Sequence, residues 1–339
     1  MSSIYVHTLG DSTLDNLYWR LYENDMTEAK QSSVEGQLAQ KLGSPYEVVS
    51  HAYDGFTTTS VLEGDYVGDV LSSRGPKYQY LQEKTGAAGR KKIYPLTELQ
   101  TSIAEHPDSI HYVVISVGGN DFRVNLRNRI RMLLDIPNVQ KRYVEIVEKV
   151  QGMGGRNVKP ILMFQYRTDA NNDHSYEIYT TLKAIGIATV IIQGVLAAAT
   201  GLSAIGVALD KISPVAGAIF TLLGGLALYA STTFAPLTLV KDLLTEEKGG
   251  LTMFDNLLNL FYRPIIKKAE KDNIPRLDLT KTFDPCQNLY TSEIEPNVRG
   301  GSLIAEGIDH IIKQHDFTGV SRSYAKLAGS DTYRAAKAQ

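Results

Sequence analysis

From Ala184 to Leu209, and again from Ile212 to Val240, the chain carries no formally charged residue. Each run exceeds the roughly 20 residues that an α-helix needs to cross a bilayer core. Only Asp210-Lys211 separates them, with Ser213-Pro214 just inside the second, so the pair reads as a helical hairpin. A soluble amphipathic helix needs a polar face, and these runs offer little beyond Thr, Ser, Gln193 and Gly. A membrane-embedded hairpin is therefore preferred to a very apolar soluble subdomain. Gly194, Ala198 and Gly201 on the first run, and Gly217, Thr221 and Gly225 on the second, have the small-residue spacing that allows close helix–helix packing in lipid, including between copies.

On both sides of these runs, short β-rich stretches alternate with amphipathic ones, the pattern of an α/β fold with a parallel sheet and crossover helices. Strands are expected at Ile4–Leu9, Tyr46–Ser50, Tyr112–Val117, Pro160–Gln165 and Arg276–Thr280. Helices are expected at Ser32–Leu42, Leu96–Glu105, Val139–Val150, Phe254–Lys271 and Gly301–Gln314. The stretch Ser72–Lys92 has no clear period and reads as a long loop, a kind of segment that is often functional. Since the rhythm resumes after the hairpin, the hairpin is an insertion. Lys183 and Lys241-Asp242 must then lie on the same side of any membrane. The expected organisation is 1–175 and 246–315 as two parts of one domain, 176–245 as the insertion, and 316–339 as a tail.

The 35 Lys and Arg against 37 Asp and Glu, with no basic block, argue against nucleic-acid binding. With 43% hydrophobic residues the chain can fill a core. A single cysteine, Cys286, excludes an internal disulfide and a cysteine-based zinc site, and nothing in the pattern asks for a cofactor. Met1-Ser2-Ser3 leads into Ile4–Leu9 without a basic or long apolar leader, so no cleavable signal peptide is expected. That predicts a membrane-associated protein that is intracellular or exported by a non-classical route.

Strand one ends in Gly10-Asp11-Ser12-Thr13 and strand three in Val117-Gly118-Gly119-Asn120-Asp121. In an open parallel sheet the carboxyl ends of strands form the ligand edge, so a serine hydroxyl and an asparagine amide are delivered to one place. Tyr53-Asp54-Gly55 follows strand two, where a glycine lets a backbone N–H approach a reacting atom unobstructed. Together these make an acyl-transfer constellation: Ser12 as nucleophile, with an oxyanion hole from the Ser12 N–H, the Gly55 N–H and the Asn120 amide. Asp11 and Asp121 read as loop-fixing acceptors in preference to a metal pair, and Asp278 as a strand-end group able to orient a neighbour.

With "LGDSTLDN", "AYDG" and "ISVGGNDF" in this order, the chain resembles the SGNH or GDSL hydrolases over roughly residues 3–170 and 254–314. The resemblance implies a flavodoxin-like, three-layer α/β/α sandwich on a parallel five-stranded sheet, with Ser12 as nucleophile and Gly55 and Asn120 as oxyanion donors. The family's fourth block usually reads Asp-x-x-His-Pro. Here the aligned stretch runs Ser292-Glu293-Ile294-Glu295-Pro296-Asn297, with Gly300-Gly301 following, so Glu295 stands where the histidine is expected and Ser292 where the aspartate is. It looks like a subgroup whose last block reads Ile-Glu-Pro, and Glu295 becomes the candidate base. Asp108–His111 precedes strand three, at the wrong sheet edge for Ser12, while His310 and His315 read as surface helix residues.

The preferred reading is a membrane-associated serine esterase or lipase that cleaves carboxylic esters, with lipid acyl esters as substrates because the hairpin holds the site at a bilayer. The alternatives are a catalytically silent, membrane-tethered binding module, and a membrane-inserting protein whose hairpin is the active part.

Overall fold

The computed structural model describes residues 3–67, 76–86, 91–125, 129–166, 250–283, 287–292, 294–327 and 329–336. The apolar runs 184–209 and 212–240 lie outside these residues, as does Cys286. Among the described residues no helix is long and apolar enough to cross a membrane. The chain divides into one unit of Met1–Ser175 with Phe261–Gln339 and a second of Tyr176–Leu260. The first unit carries the sheet described below. Of the second, only its last residues are described, as the opening turns of a helix beginning at Gly250.

Seven strands form the central sheet: β1 (Ile4–Gly10), β2 (Tyr46–Ala52), β5 (Ile110–Ser116), β6 (Val158–Phe164), β7 (Arg276–Asp278), β8 (Ser323–Ala325) and β9 (Arg334–Ala336). Their order is β2-β1-β5-β6-β7-β8-β9, all neighbours parallel except the antiparallel β8–β9 pair. Two short strands, β3 (Asp65–Val67) and β4 (Lys91–Ile93), pair separately. The five expected parallel strands are all present. The segment 316–339, expected as a tail, instead adds β8 and β9 to the sheet.

The alternation of β1 sets two faces. Val6 joins Tyr112, Val114, Ile161 and Met163 on the face covered by α3 (Val34–Leu42) and α11 (Val298–Gln314). In α11, Ile304, Ala305, Ile308, Ile311 and Ile312 are all buried, a helical stripe aimed at the sheet. Asn297 caps it by accepting the Gly300 N–H at 3.0 Å. The other face is covered by α6 (Pro95–Glu105), α8 (Arg129–Gly152) and, from Phe261 onward, the later part of α9 (Gly250–Lys271). There Tyr143 donates to the Ile115 carbonyl and Phe164 stacks on Tyr262 with ring centroids 4.2 Å apart. These are the three expected layers.

Two helices differ from expectation for identifiable reasons. Pro137 reads as a helix boundary, yet α8 runs through it from Arg129. Ser72–Lys92, expected as loop, contains α5 (Pro76–Thr85), whose buried residues Tyr80, Leu81 and Thr85 include too few aliphatic side chains to write a helical period. His315 was expected at the surface. It is buried, with Nδ1 3.0 Å from the Tyr324 hydroxyl, because β8 packs over the end of α11.

A ladder of buried imidazoles crosses the sheet diagonally on the α6 face. His111 Nε2 lies 2.9 Å from the His106 carbonyl, His7 Nε2 3.0 Å from His111 Nδ1, and His51 Nε2 3.2 Å from His7 Nδ1. A carbonyl only accepts, so His111 Nε2 carries the proton, and with His111 Nδ1 accepting, His7 donates from Nε2 and accepts at Nδ1 from His51 Nε2. Burial first, then the charges that His51, His111 and His106 would carry, push His7 down to about 3. Burial and the Lys84 charge push His51 down to about 4. Unfolded, a histidine takes its proton near pH 6.5, so the His7 contribution is complete above that value and is lost as pH falls toward 3.

His7→Phe keeps the ring but leaves His111 Nδ1 and His51 Nε2 unpaired, which is expected to cost about 2–6 kcal/mol at pH 7. At pH 5 that penalty is expected to shrink by about 2 kcal/mol, since the variant no longer loses the His7 contribution. Urea unfolding of variant and parent at both pH values checks this. The difference between the two proteins is the quantity to read, because Asp11 and Asp15, both raised by burial, shift the parent's stability in the opposite sense.

Candidate active site

Gly10 ends β1 with φ +147°, and a Cβ there would sit 1.7 Å from the Ser116 carbonyl oxygen. Only glycine lets β1 and β5 close to this distance. The serine turn is thereby laid against the Gly118-Gly119-Asn120-Asp121 segment, and the Asp11 N–H donates to the Ser116 carbonyl at 3.1 Å.

Ser12 is buried, and its hydroxyl donates to Glu295 Oε1 at 3.0 Å. The two residues are separated by nearly the whole chain, and Glu295, 1% exposed, reaches Ser12 on a loop fixed from several directions. Thr291 N–H donates to the Glu295 carbonyl at 2.8 Å, and Asn297 N–H to the Leu289 carbonyl at 2.9 Å. Tyr290 and Pro296 form an isolated bridge. Asn16, four positions after Ser12, donates through Nδ2 to the Pro296 carbonyl at 3.1 Å while its Oδ1 accepts the Val34 N–H at 2.8 Å. The serine block thus holds the loop that carries its own carboxylate partner.

Gly55 sits at φ +81° in the turn after β2, with open space where a Cβ would stand. The neighbouring N–H groups of that turn are used: Tyr53 donates to the Gly10 carbonyl, Asp54 to the Tyr80 hydroxyl, and Phe56 to the Tyr53 carbonyl. Among the described residues the Gly55 N–H has no such partner, nor has the Ser12 N–H. Asn120 Nδ2 spends one hydrogen on the Phe56 carbonyl at 3.1 Å, leaving the second available. Unpaired backbone N–H groups are rare where buried, as in Ser12, whereas Gly55 is exposed and its N–H is open to solvent or to a bound acceptor. Both N–H groups and the Asn120 amide lie just past the carboxyl ends of adjacent parallel strands.

Asp11 and Asp121 are both committed to fixing loops. Asp11 accepts the Thr13 N–H at 3.1 Å and Gln165 Nε2 at 2.7 Å, and burial pushes its carboxyl up to about 7. Asp121 accepts the Thr58 N–H at 2.8 Å and the Thr58 hydroxyl at 2.6 Å, tying the Asn120 segment to the turn that carries Gly55. Arg142 reaches both members of that pair. Burial raises the Asp121 carboxyl, with Thr58 and Arg142 drawing it back. Among the described residues no group of His, Cys, Asp or Glu is set to hold a metal ion. Asp278 does end β7, yet its side-chain bonds run to Thr280 and Lys281 beside it in the chain and not to the Ser12 group.

Three residues of this arrangement are not singled out by the sequence. Gln165 ends the fourth expected strand, and its Nε2 bridges Asp11 and Thr13 Oγ1. Asn16 lies inside the serine block itself, where its place was the only available signal. Tyr166 stacks on Phe283 at 4.0 Å between centroids and meets Tyr290 edge-on, forming an aromatic wall. Burial and then the Glu295 charge hold its phenol well above the ordinary range.

No family model matches the chain, and no curated protein matches it. Solved structures similar to it include a member of the lipolytic protein G-D-S-L family from Veillonella parvula, at 12% identity and a TM-score of 0.43, over 92% of this chain and 100% of that one. The M. smegmatis aryl esterase is similar at 13% identity and a TM-score of 0.41, over 92% and 99%. A carbohydrate acetylesterase family member from Sinorhizobium meliloti is similar at 11% and 0.43, over 92% and 98%. Likenesses this distant carry no conclusion about substrate, and the chemistry rests on the residues themselves.

Proposed function

We propose that the protein is a serine ester hydrolase of the SGNH type in which Glu295 takes the place of the usual histidine. The observation that carries this reading is the 3.0 Å hydrogen bond from Ser12 Oγ to Glu295 Oε1, formed at the sheet edge that also carries the Ser12 and Gly55 N–H groups, which have no protein partner among the described residues. As Ser12 Oγ bonds to the ester carbonyl carbon, its proton passes to Glu295, and the oxygen that becomes negative is received by the Ser12 and Gly55 N–H groups and the Asn120 amide. Collapse breaks the carbon–oxygen bond of the leaving alcohol, which takes the proton from Glu295. Water then attacks the acyl-serine with Glu295 accepting its proton, and the returning proton restores Ser12.

Asp11 gives this reading a pH signature. With its carboxyl raised to about 7, it is neutral in acid and ionises as the pH passes through neutrality. A negative charge next to the Ser12 N–H opposes the developing oxyanion, so kcat/KM is expected to fall above pH 7. In Asp11→Asn that alkaline limb is expected to vanish, which a pH–rate profile of both proteins checks.

Substrates with acyl chains at a bilayer are the second part of the proposal, supported by the uncharged runs 184–209 and 212–240. The experiment measures turnover of a short-chain and a long-chain ester in detergent and in liposomes. Ester cleavage enhanced by liposomes supports both parts, and cleavage indifferent to them removes the membrane part. Absence of cleavage under all conditions favours a binding module, a reading to which the absent fourth-block histidine points.

A further inference from the structure

The buried polar network beneath the serine turn is larger than the proposed chemistry requires. Tyr80, on α5, donates its hydroxyl to Asp15 Oδ2 at 2.6 Å and accepts the Asp54 N–H at 2.9 Å on the same oxygen. Asp15 follows Ser12 by three residues in the serine turn, and Asp54 immediately precedes Gly55. One phenol oxygen therefore joins the turn that carries the nucleophile to the turn that carries an oxyanion donor.

Lys84, one helical turn further along α5, fixes the other end. Its ammonium lies 3.0 Å from Asp15 Oδ1 and 3.4 Å from Glu35 Oε2, and it donates to Ser50 Oγ at 2.6 Å and to the Ala52 carbonyl at 3.2 Å. Burial pushes the Asp15 carboxyl up while the Lys84 charge draws it back, and burial with the Asp15 charge holds the Tyr80 phenol well above its ordinary range. Tyr80 thus remains a neutral hydroxyl that can donate and accept at once.

From this geometry we infer that Tyr80 is a positioning residue, which sets the direction of the Gly55 N–H by holding the peptide before it. The direction of a donor decides its worth to a transition state, because the oxyanion must meet the N–H at hydrogen-bond distance only when charge develops. Within a turn held on one side by the Gly10 carbonyl and on the other by Asn120, the Tyr53–Asp54 peptide is fixed at both ends, its carbonyl by the Phe56 N–H and its N–H by Tyr80, and Tyr80 is the side chain among these anchors. The inference rests on the esterase reading and concerns how its oxyanion hole is aimed.

Tyr80→Phe removes the shared oxygen and keeps the ring among Leu17, Tyr53, Phe56 and Leu81. In enzyme whose turnover has been shown to depend on Ser12, the variant is expected to lose roughly 10- to 100-fold in kcat with little change in KM. Its affinity for a trifluoromethyl ketone that forms a tetrahedral adduct is expected to fall by the same factor. A structural role alone would lower the melting temperature without that parallel loss.

Asp15→Asn, which keeps the shape but weakens the anchor of Tyr80, is expected to give a smaller loss of the same kind, and it provides the test if Tyr80→Phe does not fold. Unchanged kcat and unchanged ketone affinity in a folded variant overturn the inference and leave the esterase reading intact. Absence of any Ser12-dependent turnover overturns that reading first.

Discussion

Ser12→Ala is expected to lower ester turnover by at least roughly 1,000-fold, to the level of the residual catalysis that binding and an oxyanion hole supply on their own. The alanine removes the oxygen proposed to form the acyl bond, which is also the donor of the 3.0 Å bond to Glu295. It leaves the backbone N–H of the same residue in place, and it is compatible with the turn, which is fixed by Asp11, Thr13 and Gln165 and not by the hydroxyl. Far-UV circular dichroism should therefore match the parent's while initial rates on a short-chain ester collapse. KM for any residual activity should change little, since on the proposed mechanism Ser12 contributes bond formation and not ground-state binding.

Glu295→Gln is expected to lower turnover by roughly 100- to 10,000-fold, the range assigned to a positioned general base. Glutamine has nearly the same shape and can accept the Ser12 hydrogen bond through its amide oxygen, but that oxygen cannot take the proton. Loss of activity with retained folding would thus separate proton transfer from simple positioning. The loop should survive the change, because Glu295 is held through its backbone carbonyl by Thr291 and through the following residue by Asn16. If Ser12 and Glu295 act as one unit, the double variant should be no slower than the worse single variant.

How much of this was legible in the sequence depends on the range of the interaction. The placement of Ser12, Gly55 and Asn120 at one sheet edge was legible because each follows a strand whose alternation is local, and parallel strands deliver their ends to one edge. Glu295 was legible only through the Ile-Glu-Pro frame after those three were in hand. Nothing local says that a residue 283 positions from Ser12 will meet it. The strands β8 and β9 were missed because each is three residues long and holds no branched aliphatic side chain, whereas the equally short β7 carries Leu277 and is followed by Leu279. Helix α5 was missed because its inward face is built from a phenol, one leucine, a threonine and an ammonium, too few aliphatic side chains to write a period, and the partners Asp15 and Glu35 lie far off in the sequence. The buried histidine ladder was hidden for the same reason: His7, His51 and His111 are spread over three strands, and a sequence does not reveal that neighbouring rings will bond to one another. Asp278 went the other way, a position at the right sheet edge whose side chain is spent on its own turn.

The most direct test of the central claim, that Ser12 is a nucleophile activated by Glu295, is the intact mass of the protein after exposure to a fluorophosphonate, followed over time and mapped by peptide. A single phosphonyl adduct on the peptide containing Ser12 is the predicted result, formed at least roughly 100-fold more slowly in Glu295→Gln. No adduct at Ser12, or an adduct that forms as fast in Glu295→Gln as in the parent, would contradict it.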